Sequence, residues 1–228
     1  MRVLIACEFS GIVRDAFQAR GHEAWSCDLL PSEGKPLGHW YPTHYPPGHQ
    51  IANRQQHHQC DVRELWSGRV AHSMALEGQA LHWDLMIAHP PCTHLAVSGA
   101  RWFKEKAKEQ AEALEFVRAL MDAPIERICI ENPISIISSR IRKPDQIIQP
   151  WQFGHGEVKA TCLWLKNLPK LVPTKIVEGR EARVHRASPG PDRWKERSRT
   201  LPGIAQAMAE QWGALVPTST TSAGKEKE

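Results

Sequence analysis

The sequence predicts an α/β fold with a doubly wound, mostly parallel sheet. Three observations support this prediction: short aliphatic and β-branched runs typical of buried strands, a glycine turn between the first such run and an amphipathic segment, and an acidic residue at the end of the second run. With 228 residues, of which 41% are hydrophobic, the chain is long enough for one α/β domain. We expect that domain to span residues 1–213.

The first elements are a strand, a helix and a second strand. Residues 2–6 (RVLIA) form a short apolar run that indicates a buried strand. Apolar residues then recur at helical spacing over 12–17, and Gly21 ends the predicted helix. Residues 23–27 (EAWSC) predict the second strand, which ends at Asp28.

A long loop separates these elements from the third strand. Residues 31–59 are rich in Gly, Pro and His and show no hydrophobic period, so they predict a loop. Residues 61–66 predict a short helical turn, whereas the pattern over 67–82 is ambiguous. Residues 84–88 (DLMIA) predict the third strand, which stops at residues 89–92 (HPPC) because prolines do not continue a sheet interior.

The rest of the chain predicts two helices and two further strands. Over residues 102–121, apolar residues lie three and four apart opposite a charged face, which predicts the longest helix. Residues 127–130 (RICI) and 161–165 (TCLWL) predict the fourth and fifth strands. Residues 202–212 predict a last helix with proline near its first turn, and the polar residues 214–228 predict a disordered tail.

Composition excludes several classes of protein. The net charge of +4 is compatible with a polyanionic partner, and no segment approaches the ~20 apolar residues of a membrane span or resembles a signal peptide. The six cysteines contain no C-x-x-C pair, which argues against a zinc ribbon and a disulfide framework. We therefore expect a cytoplasmic protein, with a monomer favoured. Five histidines crowd the predicted loop without the spacing of a metal site; they are His39, His44, His49, His57 and His58.

Unusual residues follow four of the predicted strands. They are residues 9–11 (FSG), Asp28, residues 89–92 and residues 131–133 (ENP). The carboxyl ends of parallel strands lie at one edge of the sheet, where open α/β sheets bind their ligands. These residues therefore predict one site. The glycine turn at 9–11 and the acid at Asp28 suit a ligand with a ribose, and NAD would fit the same outline.

Two side chains at this edge have the chemistry for addition to a pyrimidine ring. A lone cysteine is usually buried and inert, but Cys92 follows two prolines in a rigid turn, which favours a positioned nucleophile whose surroundings stabilise the thiolate. Glu131 ends an apolar strand, where it either pairs with a cation or hydrogen-bonds a substrate. A thiolate that adds to C6 of cytosine makes C5 nucleophilic, and a carboxyl group at N3 offsets the developing charge. In a duplex, the base must also leave the stack.

These segments resemble the motifs of DNA cytosine-C5 methyltransferases, in particular compact phage- and prophage-type members. The resemblance follows the family's order over residues 1–213. The Pro-Cys and Glu-Asn pairs, each after a strand, are its most specific part. The matching segments are residues 6–17 (ACEFSGIVRDAF), 60–62 (CDV), 90–92 (PPC) with 98–99 (SG), 131–133 (ENP) and 202–212 (PGIAQAMAEQW).

The resemblance implies a Rossmann-like enzyme that transfers a methyl group from S-adenosylmethionine to DNA. It implies that Cys92 is the covalent nucleophile and that Glu131 binds cytosine N3. Asp28 would bind the ribose of the donor, and Asp61 its adenine amine. The other implied contacts are Phe9, Ser10, Gly11 and Pro90 with the donor, and Pro91, Asn132, Arg197 and Arg199 with the DNA.

The chain departs from the family's pattern in several places. Val13 stands near the place of a second glycine, Cys60 replaces a glycine, and Pro133 replaces a valine. The stretch expected to hold a target-recognition domain is short, so residues 134–198 predict a reduced segment that faces duplex or single-stranded DNA, the alternative being an ordinary solvated surface. Its basic and aromatic residues include Arg140, Arg142, Lys143, Lys159, Lys166, Trp151, Phe153 and Trp164.

Two other functions stay open. Residues 89–92 also resemble the Pro-Pro-aromatic motif of exocyclic-amine (N4 or N6) DNA methyltransferases, which stack the base on a ring that Cys92 lacks. The departures in the first motif leave a catalytically inactive relative that binds nucleic acid as a third possibility.

Overall fold

A computed structural model describes residues 1–33, 56–66, 82–186, 190 and 193–215. These residues form an α/β fold around one mostly parallel sheet, as the sequence predicts. The strands of the sheet are β1 (Arg2–Ala6), β2 (Glu23–Asp28), β3 (His57–Gln59), β4 (Leu85–Ala88), β5 (Arg127–Pro133), β6 (Gln146–Ile148) and β7 (Thr161–Lys166). The helices are α1 (Ile12–Gln18), α2 (Ala107–Met121), α3 (Ile137–Arg140), α4 (Arg183–Arg186), α5 (Arg193–Ser198) and α6 (Pro202–Gln211), with 3-10 helices at Val62–Leu65, Val97–Lys106 and Pro150–Gln152.

The strand order places the predicted site residues at one edge. The order is β3-β2-β1-β4-β5-β7-β6, and β1 to β5 are all mutually parallel. Only β7 runs the other way within this sheet, antiparallel to both β5 and β6. The first five strands follow the order of doubly wound nucleotide-binding sheets. The carboxyl ends of β1, β2, β4 and β5 therefore share one edge, as expected from the sequence.

Both faces of the sheet are buried, which explains the continuous apolar runs in β1 and β4. Leu4 and Met86 belong to the apolar cluster that includes α2 residues, whereas Ile5 and Ile87 belong to the cluster that includes α1 and α6 residues. Each such side chain stabilises the fold by about 1.5–3 kcal/mol when fully buried. This rigid sheet supports the loops at its carboxyl edge.

Two short strands were not predicted. The last part of the predicted loop forms β3, where Ser26 to Asp28 of β2 pair with His57 to Gln59. The strand β6 pairs with β7 at the opposite end of the sheet. Both strands have three residues and lie at the two edges, so backbone pairing with a neighbour forms them without the hydrophobic alternation that identifies longer strands.

Two element boundaries also differ from the prediction. The helix expected over 102–121 is α-helical only from Ala107, because a 3-10 helix precedes it. The fourth strand does not end before Glu131 but continues through Pro133. Antiparallel pairing with β7, in which Glu131 lies opposite Leu163, extends the strand beyond its apolar run.

Some predictions fall outside the described residues. These are most of the loop predicted over 31–59, the stretch 67–81, the histidines at 39, 44 and 49, and residues 216–228 of the predicted tail. The extent of the domain and its monomeric state stay predictions. In the part of the chain that the structure describes, no helix has the length and apolar character needed to cross a membrane.

Candidate active site at the carboxyl edge of the sheet

The turn that carries Cys92 begins directly after β4. Pro90 is buried, and the Cys92 carbonyl accepts the N–H groups of Leu95 at 3.0 Å and Ala96 at 2.9 Å. These bonds close a turn that keeps Cys92 half-buried at the sheet edge. The two prolines fix the approach to the turn because each locks its own φ angle.

Hydrogen bonds tie this turn to β5 and to the segment that follows it. The buried Asn132 side chain donates from Nδ2 to the Pro90 carbonyl at 2.8 Å. Further along, the Val97 N–H donates to Ile134 O at 3.1 Å, and the Ile136 N–H donates to Leu95 O at 3.0 Å. The Cys92 turn and the strand that carries Glu131 are therefore one connected unit.

Glu131 is bonded to His89, the first residue after β4. His89 Nδ1 lies 2.9 Å from Glu131 Oε2, and the two side chains are only 9% and 11% exposed. Burial by itself would raise the pKa of Glu131, but the hydrogen bond from His89 and the charges of His89 and Lys159 lower it below the usual value. Glu131 is therefore a buried carboxyl group that the protein holds ionised.

The surroundings of Cys92 favour the thiol. Burial raises its pKa, the negative charge of Glu131 raises it further, and the positive charges of Lys159 and Arg197 offset only part of this. The sequence led us to expect surroundings that stabilise the thiolate, and this expectation is wrong for the protein alone. The first reason is burial, which disfavours the charged thiolate, and the second is that the Glu131 carboxylate acts on the same sulfur as the two cations.

A cleft of about 260 Å³ opens beside Cys7 and Pro91, next to this unit. Asp28 and Asp61 supply its carboxylates, and Phe116 of α2 supplies an aromatic wall. Its other lining residues are Cys27, Leu29, Cys60, Val62 and Arg63. Its size lies just below the ~300 Å³ at which most small-molecule pockets begin.

The two carboxylates of the cleft differ in their partners. Burial raises the pKa of Asp28, and the Leu30 N–H, which donates to it at 2.9 Å, partly opposes that shift. The side chain of Arg63 donates to Asp61 and lowers its pKa. Asp28 is therefore the carboxylate with more free acceptor capacity.

The turn after β1 shapes one side of the site but does not line the cleft. Gly11 has a φ of 74°, and a Cβ there would lie 2.3 Å from Nη2 of the buried Arg14. Ser10 donates to Glu8 at 3.3 Å, and Glu8 also accepts the Val13 N–H at 2.7 Å. Arg14 therefore fills the space beside Gly11, and Glu8 caps the turn.

The remaining predicted contacts lie around this turn and α5. Phe9 is buried, and its ring lies 5.9 Å from that of Trp194, which is 51% exposed. Arg197 acts on Cys92 through its charge, whereas Arg199 forms an ion pair with Glu33. Helix α5 therefore lies near both the Cys92 turn and the turn after β1.

The segment 134–198 contributes less surface than the sequence suggests. It contains β6 and β7, and two of its aromatic residues belong to the core: Phe153 is 2% exposed and Trp164 is 1% exposed. Both were expected among DNA-facing residues, and that interpretation is wrong because their strand and turn pack inward. Trp151 differs, since Arg180 lies over its ring at 4.1 Å.

Sequence reasoning included His89 in the predicted site as part of residues 89–92 but gave it no role, missed Glu8, and did not assign a site role to Lys159. A signal existed for His89, because a polar residue directly after an apolar strand lies at the carboxyl edge. No signal indicated that Lys159 would act on both Cys92 and Glu131, since that proximity depends on how the chain returns into β7. Among the described residues, no group of three or more His, Cys, Asp or Glu side chains is arranged to hold a metal ion.

No protein-family model matches the chain, and no curated protein is similar to it at a significant level. A solved structure described as a DNA modification methyltransferase encoded within a prophage of E. coli is similar to it, with a TM-score of 0.46 and 14% identical residues. The similarity covers 83% of this chain and 55% of that one, so this chain spans about half the length of that protein. The function proposed below depends on the geometry of the site.

Proposed function

We propose that this protein transfers a methyl group from S-adenosylmethionine to C5 of cytosine in DNA. The proposal rests on the positions of Cys92 and Glu131. Cys92 lies in the turn that follows β4, and Glu131 lies near the carboxyl end of the adjacent parallel strand β5. Asn132 ties the two together through Pro90, and the charge of Glu131 reaches the Cys92 sulfur. Few reactions need a buried carboxyl group beside a positioned thiol on one face.

The chemistry follows from what each group can do. The Cys92 thiol first gives its proton to the Glu131 carboxylate. The resulting thiolate forms a bond from Sγ to C6 of the base, and the displaced electrons move through the ring toward N3, where Glu131 passes on that proton. C5 becomes nucleophilic and takes the methyl group; loss of the C5 proton and of Sγ then restores the ring. Because Cys92 is a thiol in the free protein, the pKa of Cys92 must fall before the reaction can begin.

The cleft suits the donor of the methyl group. Asp28, Val62 and Phe116 line this cleft, and we propose that the Asp28 carboxylate accepts the ribose hydroxyls while the two apolar side chains pack on the aromatic base. When bound, S-adenosylmethionine supplies an electrophilic methyl group and a positive sulfonium charge. A positive charge near the site would lower the pKa of Cys92, so we expect the thiol to react only in the ternary complex.

The sheet favours this donor over NAD. The strand order departs from the all-parallel arrangement of dinucleotide-binding sheets because β7 is antiparallel and lies between β5 and β6. The turn after β1 also has Val13 and the buried Arg14 where a dinucleotide fold has glycines. Both features support a mononucleoside ligand.

DNA as the partner is supported by the charges beside Cys92. Arg197 and Lys159 act on this site, and Trp194 offers an exposed ring in the same helix as Arg197. Cations of this kind bind phosphates, and an exposed ring stacks on an unpaired base. We propose that α5 contacts the strand from which the cytosine is extruded.

Trapping with DNA that contains 5-fluorocytosine tests the proposal, because fluorine at C5 blocks the final elimination. We expect a covalent adduct that requires S-adenosylmethionine and Cys92 and is absent from Cys92→Ser. Cys162→Ala is the matched control, since this cysteine lies on β7 opposite Asn132 and also experiences the charge of Glu131. Its adduct should form at the wild-type rate.

Other outcomes would identify the alternatives. Methylation that persists in Cys92→Ala would contradict C5 chemistry and favour an exocyclic amine as the acceptor. No methyl incorporation into duplex DNA, single-stranded DNA or RNA, despite donor binding, would favour an inactive relative.

A further inference from the structure

The register of the sheet places His89 against Glu131. Ala88 of β4 pairs with Ile130 of β5, so the next residue of each strand lies at the same level. The His89 N–H also donates to the Ala6 carbonyl at 2.9 Å, which holds its backbone to β1. His89 is therefore fixed from both neighbouring strands, and its ring bonds to Glu131 at 2.9 Å.

The chemistry of the two groups sets the direction of this bond. An ionised carboxylate only accepts hydrogen bonds, so Nδ1 of His89 carries the proton and donates to Oε2 of Glu131. This bond uses one carboxylate oxygen and leaves Oε1 for another partner. Within the described residues, the buried Nε2 of His89 has no hydrogen-bond partner, so the ring bonds through Nδ1 alone.

Six other charged or titratable groups lie around this pair. Cys129 of β5 and Cys162 of β7 are two of them: burial raises the pKa of each thiol, and the charge of Glu131 raises it further. Glu8 lies at the end of β1, and the charge of His89 lowers its pKa against the larger effect of burial. Lys159 precedes β7 and lowers the pKa of Glu131. Cys92 experiences the charges of Glu131, Lys159 and Arg197. Glu131 therefore experiences several charges at a distance and His89 through a direct hydrogen bond.

We propose that His89 is the positioning residue for Glu131, which it orients so that Oε1 faces N3 of the target cytosine. This inference rests on the proposed function. The Cys92 thiol gives its proton to Oε1 of the Glu131 carboxylate. As the bond from Sγ to C6 then forms, the C5=C6 electron pair moves to C4–C5 and the C4=N3 pair moves to N3, which takes that proton from Oε1. The carboxylate that remains is stabilised by the Nδ1–H group of His89. The proton returns to Glu131 when the thiolate leaves.

The test is the pH dependence of adduct formation with 5-fluorocytosine DNA in His89→Leu, which has no donor. We expect the rate to fall about 10- to 100-fold, the effect of losing a hydrogen bond to a charged group. We also expect the acid limb to move to higher pH. This limb reports Glu131, which must be ionised to take the proton of the Cys92 thiol. Removal of the hydrogen bond that lowers the pKa of Glu131 raises that pKa.

Two amide variants separate positioning from packing. The His89→Asn amide occupies the place of Nδ1 and keeps a donor for Glu131 but loses the charge of His89, so its acid limb should move less than that of His89→Leu. The His89→Gln amide reaches the place of Nε2, so this variant should behave like His89→Leu. Thermal unfolding shows whether each variant folds. If His89→Leu does not fold, the comparison of His89→Asn with His89→Gln still tests the inference.

A double-mutant cycle completes the test. In a Glu131→Gln background, His89→Leu should cause no further loss, because His89 acts through Glu131. Additive losses, or an acid limb that does not move in His89→Leu and His89→Gln, would overturn the inference. Absence of an adduct from the wild type at every pH would instead overturn the proposed function, so the two failures are distinguishable.

Discussion

Removing the side chain of Asn132 should loosen the Cys92 turn. Asn132 is 1% exposed, and its Nδ2 donates to the Pro90 carbonyl at 2.8 Å, whereas its Oδ1 has no partner among the described residues. In Asn132→Ala, a buried carbonyl loses its donor, which costs about 1–3 kcal/mol. Removal of the unpaired Oδ1 offsets part of this cost. We therefore expect a net loss of about 1–2 kcal/mol in the free energy of unfolding.

Thermal and urea unfolding measure this loss. For a chain of 228 residues, a loss of this size lowers the melting temperature by about 2–8 °C. In the same variant, the rate of adduct formation should fall by about 100-fold, because a small displacement of the nucleophile has a large kinetic effect. Both quantities refer to the same variant, so stability and positioning are compared directly.

Ser135→Ala is the matched control for stability. Ser135 is also buried after β5, at 4% exposed, and its hydroxyl has no partner among the described residues. Its removal should change the free energy of unfolding by less than about 0.5 kcal/mol. If Asn132→Ala is destabilised but forms the adduct at a rate within twofold of the wild type, the bond to Pro90 does not position Cys92.

Three further outcomes are expected. Trp164→Phe should lower the free energy of unfolding by about 2 kcal/mol in urea titrations, because the buried indole N–H donates to Arg142 O at 2.8 Å; unchanged stability would contradict this. Gly11→Ala should weaken binding of S-adenosylmethionine in calorimetry, since its φ of 74° and the nearby Arg14 guanidinium exclude a Cβ; an unchanged affinity would contradict this. Alkylation of Cys92 by iodoacetamide, followed by peptide mass spectrometry, should rise about tenfold per pH unit past pH 8, because burial and Glu131 raise the pKa of the thiol; a plateau by pH 8 would contradict this.

Much of the fold could be predicted because its longer elements have strong local signals. β1 and β4 are apolar runs buried on both faces, and α6 combines a proline near its first turn with helical spacing. The short edge strands β3 and β6 have no such signal, since three paired residues carry no period. The extension of β5 through Glu131 depends on pairing with β7, a strand that follows 28 residues later, from 133 to 161.

For the candidate site, the sequence alone determined which residues follow the strands that end at one edge of the sheet. A parallel sheet brings the residues after β1, β2, β4 and β5 to one edge, so Asp28, Cys92 and Glu131 were identifiable from the order of the chain. Only the tertiary structure decided their chemical state. Side chains from separate segments set this state. His89 bonds to Glu131, the charges of Lys159 and Arg197 act on Cys92, and burial together with Glu131 raises the pKa of Cys92. Electrostatic effects add over every charge nearby in space, and a sequence records neighbours along the chain rather than those distances.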